Sequence, residues 1–135
     1  MSKKQFIEKA GATCRNWRNM AWSFVNHTDK VVIFGAFEFP DAQSRPDNGN
    51  IIFADSWQTY DNGHKAAGYK PARENIERVL WEGYELKTFK QEYGEGNPLT
   101  GSARVKSFDK KLEKKALLRE GDCWYALPYI GHTNS

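Results

Sequence analysis

Between Cys14 and Asn19 the chain sets one indole, Trp17, among two amides, Asn16 and Asn19, and two guanidinium groups, Arg15 and Arg18. Amides and guanidinium groups are costly to bury unless each is paired. Planar aromatic surface beside amide and guanidinium donors instead suits recognition of a flat, hydrogen-bonding ligand such as a nucleobase. An edge strand with Trp17 turned inward and its polar neighbours in water accounts for the same residues. Trp22, Phe37 and Trp57 fall near the ends of predicted strands, and with Trp17 they would offer a cage of rings for stacking a flipped base. Asn16, Asn19, Ser23, Asn26 and Asp55 are the nearest polar groups able to read a base edge. The competing account packs Trp22, Phe37 and Trp57 in the core.

A second cluster, His64, Lys65, Tyr69, Lys70 and Arg73, is basic, flanked by glycine and ends at a helix N-terminus, a ready site for an anion. It suits phosphate contacts, which give affinity without sequence information; a solvated basic loop is the alternative. Arg15, Arg18 and Arg45 would extend this basic surface, whereas Lys110, Lys111, Lys114 and Lys115 read as a solvated face.

Other chemistries find less support. There is no Gly-x-Ser-x-Gly elbow, and neither Cys14 nor Cys123 has a His nearby in sequence to activate it. His27, His64 and His132 are scattered outside any metal-ligand spacing, and no phosphate-binding glycine motif occurs. No cofactor is expected. The acidic pairs Glu38 with Asp41 and Asp55 with Asp61 would permit Mg²⁺-dependent phosphodiester cleavage, so a small metal-dependent nuclease is one alternative. A protein-interaction module with exposed aromatics is another.

These residues need a frame. Phe6, Ile7 and Ala10 give one apolar stripe and predict a helix over Ser2–Ala12. From Trp22 a strand places Trp22, Phe24 and Asn26 on one face and Ser23 and Val25 on the other. His27 to Lys30 is a hairpin connection, and Val31 to Phe37 reads as a central strand covered on both faces. Ile51–Ala54 is a third strand between two loops, Pro40–Asn50 and Gln58–Lys70. Pro71 opens the clearest helix and Gly83 closes it. Tyr84–Phe89 is a strand, Gln91–Ser102 a loop and Ala103–Phe108 a strand. Lys110–Glu120 is helix or strand, Cys123–Leu127 closes the fold, and Pro128–Ser135 is a tail. The order predicts an α+β fold, a strongly bent mixed sheet or small β-barrel with two to three helices, in a single domain over residues 1–135.

Composition agrees. The 135 residues are 39% hydrophobic and 27% charged, neither disordered nor membrane-like. Five Trp and 14% aromatic residues exceed what a core needs at a mean hydropathy of −0.77. A net charge of +3 permits a polyanionic partner without requiring one. Met1 to Lys4 precede a mixed amphipathic stretch instead of an apolar one, and no apolar run reaches membrane-spanning length, so no membrane partner, a cytoplasmic location and two reduced cysteines are expected.

The order Gly11-Ala12 then Asn16-Trp17, Trp22-Ser23-Phe24-Val25-Asn26, Val32-Ile33-Phe34-Gly35-Ala36-Phe37, Trp57, Gly68-Tyr69 and Ala72-Arg73-Glu74, with Ile76, resembles the N-terminal specificity domains of bacterial HNH-type restriction endonucleases. These are similar to the PUA-like group that includes the EVE, YTH and SRA base readers. The likeness spans Gly11 to Phe89 and the closing Trp124-Tyr125-Ala126. It implies a bent sheet or barrel with a concave aromatic pocket into which a base of double-stranded DNA, such as a methylated or hydroxymethylated cytosine, is flipped. By motif position Asn16, Trp17, Trp22, Ser23 and Trp57 would line or support that pocket, and Tyr69, Lys70 and Arg73 would face the backbone. The chain carries no HNH motif, so the resemblance implies a reader whose nuclease is fused or separate, not cleavage by these residues.

Overall fold

The computed structural model describes residues 2–14, 22–37, 49–58, 68–95 and 104–129, with the backbone alone at 93–95 and 104–106. Its centre is β2 (Val31–Ala36), whose six residues are all buried. An uninterrupted apolar run forms such a strand because both of its faces must be covered. β1 (Ser23–Asn26) pairs with it antiparallel, from Ser23 opposite Phe34 to Asn26 opposite Val31. The intervening turn is held by the Asn26 side chain, which accepts the Asp29 N–H at 3.0 Å and donates to Asp29 Oδ2 at 3.0 Å and to Ala10 O at 3.4 Å. Asn26 is therefore a structural amide, occupied by the hairpin and by the end of the first helix.

On its other edge β2 pairs in parallel with β4 (Glu85–Glu95). Parallel neighbours need a crossover. Among its described residues that crossover carries β3 (Asn50–Ala54), a 3₁₀ turn (Asp55–Gln58) and helix α2 (Tyr69–Trp81). With β6 (Glu113–Glu120) and β7 (Cys123–Pro128), the sheet runs β1-β2-β4-β6-β7-β3, and β5 (Arg104–Phe108) pairs with β4 beside this path. One bridge, Phe37 with Ile51, brings β3 back to the end of β2 through two hydrogen bonds of 3.0 Å. The fold is thus α+β around a strongly bent mixed sheet of seven strands that stops short of a closed barrel.

Alternation along β2 divides the interior in two. Val32, Phe34 and Ala36 face α2 and join Ile51, Phe53, Trp57, Ala72, Ile76, Leu86 and Trp124. Val31 and Ile33 face helix α1 (Lys3–Lys9) and join Phe6, Ile7, Phe24 and Phe89. Each fully buried side chain of this size contributes about 1.5–3 kcal/mol relative to exposure.

Two elements differ from their sequence reading, and a third decides between the two conformations it left open. α1 is shorter than Ser2–Ala12. Ser2 caps it reciprocally with Gln5, and it ends before Gly11, whose φ of +83° and 2.7 Å clearance from the Asn26 amide admit no side chain. β4 continues to Glu95 where a loop from Gln91 was expected, because β5 pairs with that extension. Glu113–Glu120 is a strand, not a helix, since β4 and β7 flank it and take up its backbone groups. Gly83, at φ +75° beyond α2, closes that helix as its position predicts.

Candidate functional site

A cavity of about 270 Å³ lies between β1 and α2. Its polar lining is Thr13, Ser23, His27, Glu74, Asn75 and Arg78, and Cys14, Val25 and Pro71 complete it. A hydrogen-bonded relay forms one wall. Arg78 Nη1 donates to Asn75 Oδ1 at 2.5 Å, and Asn75 Nδ2 donates to Ser23 Oγ at 2.7 Å. A guanidinium can only donate, so it forces the amide oxygen toward Arg78 and the amide nitrogen toward Ser23. Ser23 Oγ then accepts, which leaves its hydroxyl hydrogen and the second Asn75 N–H for a ligand. Both residues are buried, Ser23 at 3% and Asn75 at 4% exposure, so this donor row is held in place. At the mouth, His27 Nδ1 meets the Tyr84 hydroxyl at 2.8 Å, which orients the ring and leaves Nε2 outward. Glu74 adds an acceptor to the donors.

The opposite flank of α2 is aromatic and charged. Phe53 lies among Trp22, Phe34, Trp57 and Tyr69, with ring centroids 5.1 to 6.5 Å away. Trp22 is half-buried and stands edge-on to Trp57 at 5.6 Å. Beside them Asp55 meets Arg119 Nη2 at 3.4 Å and Arg73 Nη1 at 3.8 Å. Both guanidinium groups lie over the Trp124 ring, 5.4 Å away for Arg73 and 5.3 Å for Arg119. Asp55 Oδ1, Arg73 Nη1 and the indole nitrogens of Trp57 and Trp124 are buried without a hydrogen-bond partner among the described residues.

The residues picked from the sequence are therefore distributed over both flanks. Trp22, Trp57 and Tyr69 gather around Phe53, Asp55 and Arg73 meet each other with Arg73 over Trp124, and Ser23 faces the cavity. Phe37 sits in the core where it bridges Ile51, Trp57 is likewise a core residue, and Lys70 is exposed in the first turn of α2. Asn16, Trp17, Arg15, Arg18, Arg45, His64 and Lys65 lie outside the described residues, as do Asn19, Glu38, Asp41 and Asp61. The cavity is nonetheless bordered by Cys14 and Ser23, close to the two ends of the stretch that carries Asn16 and Trp17. Asn75, Arg78, Arg119 and Trp124 are the residues that sequence reading missed. Asn75 carried a signal, since it stands in the buried stripe of α2 between Ala72 and Ile76. Arg119 and Trp124 pair across the Gly121 turn, a relation visible only once Glu113–Glu120 is a strand.

Burial raises the Cys123 thiol and the Tyr125 phenol above their ordinary values, so Cys123 stays protonated near neutrality and is a poor nucleophile. Cys14 and Cys123 are not joined in a disulfide. Among the described residues no three of His, Cys, Asp and Glu converge on a point where a metal ion could be held, and no helix is long and apolar enough to cross a membrane. Compared with protein-family models, curated proteins and solved structures, the chain has no match.

Proposed function

We propose that this protein is a DNA-binding reader that captures one base, such as a modified cytosine of double-stranded DNA, beside β1 and holds the backbone with basic residues around the start of α2. The reading includes its place as the specificity part of a restriction or defence system, with cleavage supplied by a fused or separate nuclease. The observation that carries it is the relay from Arg78 through Asn75 to Ser23, which presents fixed, buried donors to a cavity of nucleobase size. The Watson–Crick edge that flipping exposes offers an acceptor next to an N–H. The acceptor takes the Ser23 hydroxyl or the free Asn75 N–H, and the N–H meets Glu74. Arg78 polarises the row of donors from behind. By the resemblance, Trp17 supplies the stacking ring.

A gel-shift panel of duplexes with unmodified, methylated and hydroxymethylated cytosine, and with modified adenine, tests this. Wild type is expected to prefer one duplex at least about tenfold, as one good base contact allows. Ser23→Ala, at an unchanged melting temperature, is expected to lose that preference while retaining general affinity. Equal binding of all duplexes, unaltered in Ser23→Ala and Trp17→Ala, overturns the proposal. The indole of Trp81, 80% exposed at the end of α2, favours a protein-docking role instead; in the same panel Trp81→Ala leaves base preference intact.

A further inference from the structure

We infer that Arg73 and Arg119 form a two-armed clamp for one backbone phosphate, and that Asp55 is the internal counter-ion this phosphate displaces. The inference rests on the DNA-binding reading and gives its affinity component two specific residues and a regulator. Both guanidinium groups lie over one ring, Trp124, in cation–π contacts of 5.4 and 5.3 Å to its centroid. Such contacts hold a cation in place without consuming its N–H donors; Arg119 donates its Nε–H to the Gly121 carbonyl at 3.1 Å and turns a terminal nitrogen toward Asp55. The two cations share a single carboxylate: Arg119 Nη2 donates a long hydrogen bond to Asp55 Oδ2, and Arg73 Nη1 stands at ion-pair distance from Oδ1. The distance to Arg73 is 3.8 Å and that to Arg119 is 3.4 Å, against the 2.7–2.9 Å of a good charged pair. Glu77 approaches only the Nε edge of Arg73, also at 3.8 Å.

The unmet demand points to an oxyanion. Arg73 Nη1 and the indole N–H of Trp124, the ring that both guanidinium groups cover, are buried donors without hydrogen-bond partners among the described residues, and Asp55 Oδ1, 3.8 Å from Arg73 Nη1, does not satisfy them. Buried donors are rarely left unpaired, and these call for a better-placed acceptor. α2 starts at Tyr69 with no acidic residue in its first turn and no side-chain cap on Gly68, so its positive end adds to the same field. A phosphate offers more acceptor oxygens than Asp55 and suits a pair of guanidinium forks better than a carboxylate does. Arg119 has a side chain 51% exposed and is the arm that a phosphate meets first.

The test is duplex affinity as a function of salt for wild type, Arg73→Gln, Arg119→Gln, the double variant and Asp55→Asn, with melting temperature as the folding control. Each arginine removed is expected to lower the salt slope by about 1 and to weaken all duplexes alike. Asp55→Asn is expected to raise general affinity several-fold, because the competitor for both arms is gone. A second readout is the rise in melting temperature with inorganic phosphate over chloride at equal ionic strength, which is lost in the double variant. Unchanged slopes in the double variant, or weaker binding in a normally folded Asp55→Asn, overturn the clamp. Slopes that fall without any base preference uphold the clamp and sink base capture; base preference with unchanged slopes does the reverse.

Discussion

The two flanks of α2 are built to opposite standards. Toward β1, Arg78, Asn75 and Ser23 are joined by short hydrogen bonds of 2.5 and 2.7 Å, with Asn75 and Ser23 buried. Toward the 3₁₀ turn, Arg73 and Asp55 approach no closer than 3.8 Å and leave polar atoms unpaired. A neutral amide accepts burial because a few short bonds satisfy it, while charges at a half-open edge keep their options. The finished flank is suited to fixed geometry and hence to selectivity; the unfinished one is suited to exchanging one anion for another. On the DNA-binding reading proposed above, one helix would thereby separate discrimination from affinity.

Substitutions can break this contrast in order of severity. Ile76 is fully buried on α2 and supports both flanks, so Ile76→Ala is expected to cost about 2–5 kcal/mol in urea unfolding and to impair both together. Asn75→Ala strands Ser23 and Arg78 and is expected to cost about 1–3 kcal/mol, whereas Arg119→Ala, in a half-exposed cluster, should cost within about 1 kcal/mol. Equal penalties for the two would erase the distinction drawn between the flanks.

The smallest effect sharpens the comparison from the far side of the sheet. Lys3 places its ammonium 5.6 and 5.7 Å from the Phe24 and Phe89 ring centroids, and burial lowers its pKa from the ordinary 10.5. The folded state therefore binds fewer protons here than the unfolded one as pH approaches 10.5, and the contribution of Lys3 to stability rises with pH through that window. Lys3→Met removes this term. The stability of wild type relative to Lys3→Met, from urea titrations at several pH values, should increase from neutral pH toward 10.5. Cys123 and Tyr125, whose raised values weaken the fold at alkaline pH, are common to both proteins and cancel.

Much of the frame was legible because it is local. The run Val31 to Ala36 can only be a covered strand, and Pro71 and Gly83 bracket α2. The sequence left two conformations open where only pairing decides: Leu112, Ala116 and Leu117 suit a helix as well as a strand until β4 and β7 lie alongside. In the candidate site, Ser23, Asp55, Trp57 and Arg73 could be named from residue type, but not their partners. Ser23 finds Asn75 across 52 residues and Asp55 finds Arg119 across 64, separations that no local pattern encodes. Trp22 and Trp57 illustrate the opposite limit, since the same ring suits a core and a stacking surface equally well.

The Phe37–Ile51 bridge bears on how the molecule deforms. Among the described residues, two hydrogen bonds at a single bridge stitch β3 to β2 along this seam, whereas the neighbours along the sheet share ladders of three to six residue pairs. An edge held by one bridge parts at lower cost than one held by a ladder. On the DNA-binding reading proposed above, parting it would separate the 3₁₀ turn with Asp55 and Trp57 from the strand leading to Phe37 and make room for a strand of nucleic acid while the rest of the sheet holds its register.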